Sequence, residues 1–267
     1  LCSFQTSLKL IEHNTMTTYL IRIINLDSYM SPPVQGLDVV YSDFRGALIN
    51  QVPIIRLFGS TPTGQKICVH IHGVFPYFYI PYDGTQEVNS LMHHIAISID
   101  KAVNISLNQA SSKTQHVYKI SLVSGIPMYG YHNKKHQFLK VYLYNPLLIR
   151  KVGNLLMNET TLGKIYQPHE IHLSFPLQFM IDYNLHGMSN MILSDMKFRM
   201  DPTCVNPEIS PERYLPLTIS KVTVCELEGD AFADDIVNRQ EIASGNIGVN
   251  PGIFALWADE KQRRRNK

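Results

Sequence analysis

The stretch that decides the fold class is Tyr77–Leu107, which reads YFYIPYDGTQEVNSLMHHIAISIDKAVNISL. Its first four residues are aromatic or β-branched, which is typical of a strand, and Pro81 and the turn residues Asp83-Gly84 end it. After this turn the apolar residues recur at helical spacing, so the sequence predicts an amphipathic helix from about Gln86 to Leu107. A strand that leads into a long helix favours an α+β domain.

Downstream, the pattern predicts two further strands and a second helix. Val117–Val123 and Phe138–Tyr144 are rich in β-branched and aromatic residues. Asn145 before Pro146 is typical of a helix start, because a capping side chain precedes a proline at the first helical position. Lys164–Tyr166 is available as a last strand. Together with the opening stretch, these elements give the β-α-β-β-α-β order of a ferredoxin-like unit.

Upstream, Tyr19–Leu26 is predicted to be a strand, and Val52–Phe58 and Lys66–His72 are predicted to be the arms of a hairpin. Residues 1–15 are predicted to be an extension outside the domain, and residues 16–200 are predicted to form it. Residues 201–267 are predicted to be an acidic linker and a largely helical extension. The expected helices of this extension are Ala231–Ile242 and Phe254–Arg265.

The composition excludes several classes of protein. With 45% hydrophobic and 17% charged residues, the chain is too apolar to be disordered throughout. Its apolar runs fall far short of the roughly 18 residues that a membrane span needs. The four cysteines form no C-x-x-C pair, so neither a zinc knuckle nor a thioredoxin-type motif is predicted.

The net charge of +2 conceals an uneven distribution. Residues 101–151 contain eight Lys/Arg and no acid, whereas residues 201–260 contain three Lys/Arg and eleven Asp/Glu. Such asymmetry suggests a nucleic-acid partner. The basic cluster Lys261–Arg265 is interpreted as a nuclear address, a phosphate-binding patch or a basic helix end.

No catalytic or metal site is predicted. The chain contains no G-x-x-x-x-G-K-[ST], G-x-G-x-x-G or G-x-S-x-G motif. Asp234 and Asp235 are adjacent acids, but they are expected to be solvated surface residues. His70 and His72 share one strand face, yet a third ligand for a zinc ion cannot be identified.

The stretch Lys113–Tyr144 is the candidate nucleic-acid interface, because lysines alternate there with aromatic residues. Lysines neutralise phosphates, and aromatic rings can stack on unpaired bases. The other interpretation is that the aromatic residues face the core and leave the lysines as a solvated face.

Several strings resemble the N-terminal domain of family B DNA polymerases. They are GQKICVHIHGVFPYFYIP at Gly64–Pro81, YGYH at Tyr129–His132 and PHEIHLSFPLQFMIDYNLHG at Pro168–Gly187. His169-Glu170-Ile171-His172 and the stretch Thr223–Arg265 resemble the branch of this family that copies damaged templates.

The resemblance covers residues 16–265, and it implies that the parent is a nuclear DNA-directed DNA polymerase acting in translesion synthesis and DNA repair. It also implies two Mg²⁺ ions and an iron–sulfur cluster, both outside this chain. The strings Asp-x-x-Ser-Leu-Tyr-Pro-Ser and Tyr-Gly-Asp-Thr-Asp-Ser are absent. No catalytic residue is therefore assigned to this chain, which is expected to be inactive alone.

Three hypotheses about function follow. In the first, this is a template-side DNA-binding domain in which Lys134, Lys135 and Lys140 contact phosphates while Tyr129 and Tyr131 line the path. The expected partners are then the template strand, the remaining polymerase domains and the accessory subunits, with no membrane. In the second, the domain is a structural module without DNA contact, and its acidic section docks a partner. A stand-alone enzyme is the least favoured.

Overall fold

The computed structural model describes residues 18–127, 130–158, 164–194, 196–199, 214–215 and 253–265. The chain divides into two compact units, Leu1–Ser220 and Lys221–Lys267. The predicted boundary at residue 200 and the predicted extension over residues 1–15 stay predictions. The strands of the described part are β1 Tyr19–Ser31, β2 Tyr41–Ser42, β3 Ala47–Leu48, β4 Val52–Ser60, β5 Lys66–Ile71, β6 Tyr77–Pro81, β7 Val117–Gly125, β8 His136–Leu143 and β9 Asn190–Leu193. Its α-helices are α1 Val88–Ser106, α2 Ile149–Met157, α3 Phe175–Asp182 and α4 Ile253–Arg265.

The first unit contains a four-stranded antiparallel sheet in the order β5-β4-β1-β9. The predicted hairpin is confirmed as β4 and β5, whose connection is closed by a hydrogen bond from the Thr61 amide to the Gln65 carbonyl (2.9 Å). One face of the sheet packs Ile21, Ile23 and Leu57 into an apolar cluster. On β5 the residues of this face alternate with solvent-facing ones, as expected for a half-buried strand.

A second, three-stranded antiparallel sheet has the order β6-β8-β7. The helices α1 and α2 cover one of its faces, and the core between them contains Phe78, Ile99 and Val141. The helix start at Asn145 is confirmed, because its side-chain oxygen accepts a hydrogen bond from the Leu147 amide (2.9 Å). A 3₁₀ turn over Pro146–Leu148 precedes α2. The protein thus has the predicted mixture of antiparallel sheets and helices.

The predicted last strand of the ferredoxin-like unit is wrong. Lys164–Tyr166 is not a strand, because the Tyr166 amide donates to the Leu156 carbonyl at the end of α2 (2.9 Å). At the free edge of β6, Tyr79 instead forms one antiparallel bridge with His169. The complete ferredoxin-like unit is therefore not confirmed, although strand, helix, strand, strand and helix follow in the predicted order.

In the second unit, the structure describes only α4, which confirms the helix predicted over Phe254–Arg265. Ala231–Ile242 lies outside the described residues, so a largely helical extension is not confirmed. Glu260 pairs with Arg264 (2.9 Å) and Arg263 (3.3 Å) on the surface of α4. No helix in the described ranges is long and apolar enough to cross a bilayer.

Candidate nucleic-acid interface

The β7–β8 connection carries the first group of predicted contacts. Lys134 and Lys135 are both exposed and lie just before β8 begins. Tyr131 is fully exposed, and its backbone adopts a φ of +54°, next to Gly130 at +94°. Tyr129 lies outside the described residues. The described part of this connection therefore presents two ammonium groups and the phenol ring of Tyr131 to solvent.

Two histidines add to the polar character of this loop. The rings of His132 and His136 meet edge to face, with their centres 4.9 Å apart. Burial lowers the pKa of the neighbouring His169, and a positive charge on His132 would lower it further. Because residues 101–151 contain no acid, the loop has no carboxylate of its own to offset its lysines.

Lys140 lies elsewhere, on β8, where it pairs with Tyr79 on β6 and Ser121 on β7. Its Nζ lies 3.5 Å from the centre of the Tyr77 ring and 5.1 Å from that of Tyr142. Burial lowers the pKa of Lys140, and the nearby carboxylates act in the opposite direction. The structure thus groups Lys134, Lys135 and Tyr131 in one loop and encloses Lys140 among aromatic rings.

The carboxylates beside Lys140 are Glu170 and Asp182, and sequence reasoning did not find them. Burial raises the pKa of Asp182, whose Oδ1 accepts a hydrogen bond from the Tyr77 hydroxyl (2.5 Å). Burial, followed by the charge of Asp182, raises the pKa of Glu170. In addition, the Gln178 side chain forms hydrogen bonds of 3.1 and 2.8 Å with the backbone of Tyr77. These contacts hold α3 against β6.

Most of the other aromatic residues of Lys113–Tyr144 take part in packing. Tyr118, Tyr142 and Tyr144 pack against an apolar cluster that includes Val52 and Ile54 of the four-stranded sheet. The ring of Tyr118 stacks on Phe75 with centres 4.1 Å apart. These three tyrosines therefore agree with the interpretation in which the aromatic residues face the core, whereas Tyr131 faces solvent.

The two candidate metal ligands, His70 and His72, have different polar partners. His70 contacts Tyr29 and Cys68, while His72 Nδ1 lies 2.9 Å from Asp38 Oδ2. Asp234 and Asp235 lie outside the described residues. Among the residues that the structure describes, no group of three or more His, Cys, Asp or Glu is placed to hold a metal ion.

In comparisons with known proteins, this chain is similar to DNA polymerases. The family model "DNA polymerase zeta catalytic subunit, N-terminal" matches residues 18–72, and "DNA polymerase delta catalytic subunit-like, N-terminal domain" matches residues 73–150. The chain is 43% identical to the DNA polymerase zeta catalytic subunit of Homo sapiens, over 93% of this chain and 9% of that protein. The Saccharomyces cerevisiae counterpart is 29% identical, over 93% of this chain and 17% of its own length.

More distant matches are also DNA polymerases. The DNA polymerase delta catalytic subunit of Bos taurus is 27% identical over 84% of this chain and 19% of that protein. Among solved structures, a family B DNA polymerase from Pyrobaculum calidifontis matches 62% of this chain and 17% of its own, with a TM-score of 0.39 and 19% identity. The chain thus spans less than a fifth of the length of each of these relatives.

Proposed function

Because the chain is homologous to the N-terminal region of DNA polymerase zeta catalytic subunits, we propose that it is part of a DNA-directed DNA polymerase of family B acting in translesion synthesis and DNA repair in the nucleus. Within that parent, this part is a template-side DNA-binding and scaffolding domain. The nucleotidyl-transfer chemistry, with its Mg²⁺ ions, and the iron–sulfur cluster belong to segments outside this chain. The template strand, the remaining polymerase domains and accessory subunits are its partners.

The exposed β7–β8 loop is the observation that carries the DNA-binding role. Lys134 and Lys135 stand side by side in solvent, where each can neutralise one phosphate and release a counterion. Tyr131 presents a whole ring face, and stacking on one unpaired base is worth about 1–3 kcal/mol. A flexible single strand suits this arrangement, because an unpaired base can stack on the Tyr131 ring while neighbouring phosphates meet the two lysines.

Lys140 is the third lysine that the sequence predicted to contact phosphate, and we assign it a different role. Its ammonium group faces Tyr77 and lies near the carboxylates of Glu170 and Asp182, and the residue is only half-exposed. The proposal therefore assigns phosphate contact first to Lys134 and Lys135. Tyr129 is kept as a sequence-based prediction.

Fluorescence anisotropy of a labelled single-stranded oligonucleotide tests this role. We expect Lys134→Ala/Lys135→Ala to weaken binding of the 267-residue chain several-fold at low salt. The matched control is Lys101→Ala/Lys113→Ala, which removes the same charge from exposed positions of the acid-free stretch outside the loop. Equal losses of DNA affinity in both variants would mean that the loop contributes to binding only through its net charge.

The alternative function is a structural module without DNA contact. The packing of Tyr118, Tyr142 and Tyr144 favours it, because these partly buried rings pack against an apolar cluster of the protein. In this case the acidic section at residues 201–260 docks a partner. Capture of a polymerase subunit by the chain, together with no measurable affinity for single-stranded DNA, would favour the alternative.

A further inference from the structure

The helices that cover the three-stranded sheet expose aliphatic side chains on their outer side. Ile97 and Ile105 lie on α1 opposite its buried residues and are 60% and 52% exposed, and Leu147, in the 3₁₀ turn before α2, is 85% exposed. Single exposed aliphatic residues are common on protein surfaces. These three differ from scattered ones because they belong to one continuous surface that also contains two lysines.

Helix geometry and one hydrogen bond establish this continuity. Along α1, Ile97, Lys101 and Ile105 follow one another at intervals of four residues, so they form one row. The Nζ of Lys151 on α2 donates to the carbonyl of Ser106, the last residue of α1 (3.1 Å). The exposed leucine of the 3₁₀ turn lies about one helical turn before this lysine. We call the surface formed by Ile97, Lys101, Ile105, Leu147 and Lys151 the α1–α2 surface.

No carboxylate offsets the two lysines of the α1–α2 surface. Asp100 is the one acid in residues 88–157, and it is buried in its ion pair with Arg45. Glu87 caps the other end of α1, about 21 Å from Lys101 at 1.5 Å per residue. In the described part of the chain, neither lysine forms an ion pair with a carboxylate. The surface therefore combines aliphatic side chains with a net positive charge.

We propose that the α1–α2 surface binds an acidic amphipathic helix of a partner protein. A helix that docks on such a surface makes contact through apolar residues one and two turns apart. Ile97 and Ile105 offer matching contacts, because they span about 12 Å along α1, or roughly two turns. Carboxylates that flank the apolar residues of the partner then meet Lys101 and Lys151. The β7–β8 loop is not part of this surface, so the proposal does not depend on DNA binding.

The charge and the aliphatic character together select this class of partner. Nucleic acid would supply phosphates to the lysines, but its bases stack on aromatic rings, and the five residues of the α1–α2 surface include none. An anionic bilayer would need a wider apolar face, such as the Trp-, Phe- and Leu-rich face of an interfacial helix. An acidic helix satisfies both features, because it buries the aliphatic side chains and neutralises the lysines.

Fluorescence anisotropy of a labelled model peptide tests the proposal on the 267-residue chain. The peptide has about 18 residues, roughly 27 Å as a helix, with leucines on one face and glutamates and alanines on the other. We expect saturable binding that added salt weakens. A second peptide with serine in place of each leucine, and a third with lysine in place of each glutamate, should not bind.

Variants of the chain locate the binding site. Lys101→Glu/Ile105→Ser reverses one charge and removes one apolar contact, so it should weaken peptide binding about tenfold. Leu147→Ser should weaken it several-fold, because a nearly fully exposed side chain loses its burial against the peptide. The matched control is Lys135→Glu/Ile192→Ser, which makes the same changes at exposed positions of the β7–β8 loop and β9. It should bind the peptide as the unmodified chain does.

Several results would overturn the proposal. They are equal peptide affinity in the two double variants, equal affinity for the leucine and serine peptides, and no binding of the leucine peptide. The proposal also fails, in favour of a nucleic acid or a lipid surface, if Lys101→Glu/Ile105→Ser loses affinity only for single-stranded DNA or only for phosphatidylserine vesicles. The comparison between peptides uses the unmodified chain, so it decides the question even if a variant does not fold.

Discussion

The ammonium group of Lys140 lies 3.5 Å from the centre of the Tyr77 ring, and the hydroxyl of that ring donates to Asp182. One tyrosine thus connects a lysine of β8 to a carboxylate at the end of α3. The contact explains how the three-stranded sheet holds α3 at the edge of β6. The contact with Tyr77 also gives Lys140 a structural role that could not be predicted from the sequence alone.

The first prediction concerns this contact. Lys140→Met removes the charge but keeps the length of the side chain, so it should lower the free energy of unfolding by about 1–2 kcal/mol. It should change affinity for single-stranded DNA little. Urea unfolding and anisotropy measure the two effects, with Lys134→Ala as the control that should leave stability nearly unchanged. A Lys140→Met protein with full stability and weakened DNA binding would contradict this assignment.

The second prediction concerns the buried ion pair of Arg45 and Asp100. Asp100 Oδ1 also accepts hydrogen bonds from the amides of His116 (2.7 Å) and Val117 (3.0 Å), so one carboxylate joins α1 to the start of β7. Asp100→Ala should cost about 3–5 kcal/mol, because it leaves a buried guanidinium and two amides without this acceptor. Asp83→Ala, which breaks an exposed pair with Lys164, should give no resolvable change in urea unfolding. Equal effects of the two changes would refute the argument.

The third prediction concerns pH. Burial lowers the pKa of His116 below its ordinary value of 6.5, and its Nε2 lies 2.9 Å from Asn104 Oδ1. The unfolded chain therefore binds this proton more readily than the folded one. The stability that the neutral ring contributes is present above pH 6.5 and is lost as the pH falls below it. The free energy of unfolding should decrease between about pH 7 and pH 5, and less steeply in His116→Gln. Identical slopes would show that His116 is not involved.

The fourth prediction compares two glycines. A Cβ at Gly59 would lie 2.6 Å from the carbonyl oxygen of Arg22 on the adjacent strand, and a backbone atom cannot move aside like a side chain. Gly84 has open space around it but a φ of +74°. Gly84→Ala should therefore cost only backbone strain, about 1 kcal/mol, whereas Gly59→Ala should cost about 2–3 kcal/mol. Thermal or urea unfolding measures both costs. A larger cost for Gly84→Ala than for Gly59→Ala would contradict the close approach of β1 and β4 at Gly59.

Local patterns predicted several elements of this fold, because each of these elements is specified by neighbouring residues. The turn between β4 and β5 and the cap at Asn145 are examples, since their chemistry lies within a few positions. The end of the ferredoxin-like unit could not be predicted in this way. Lys164–Tyr166 has the composition of a strand, but the edge of β6 is occupied by His169, and such competition between segments depends on tertiary packing.

The candidate site, too, could be predicted only in part from local sequence. The exposed positions of Lys134 and Lys135 agree with what a charged, acid-free loop suggests. The surroundings of Lys140 depend on Glu170 and Asp182, which lie at least thirty residues further along the chain and approach it only when α3 docks.

The most direct test of the central claim is the salt dependence of single-stranded DNA binding. The dissociation constant should be measured by anisotropy over a range of NaCl concentrations, for the unmodified chain and for Lys134→Ala/Lys135→Ala. If each lysine neutralises one phosphate, the double variant should lose about 1.4 from the magnitude of the slope of log K against log[salt], about 0.7 for each contact. A slope that is the same in both proteins, or no binding by either, would contradict a template-side DNA contact at this loop.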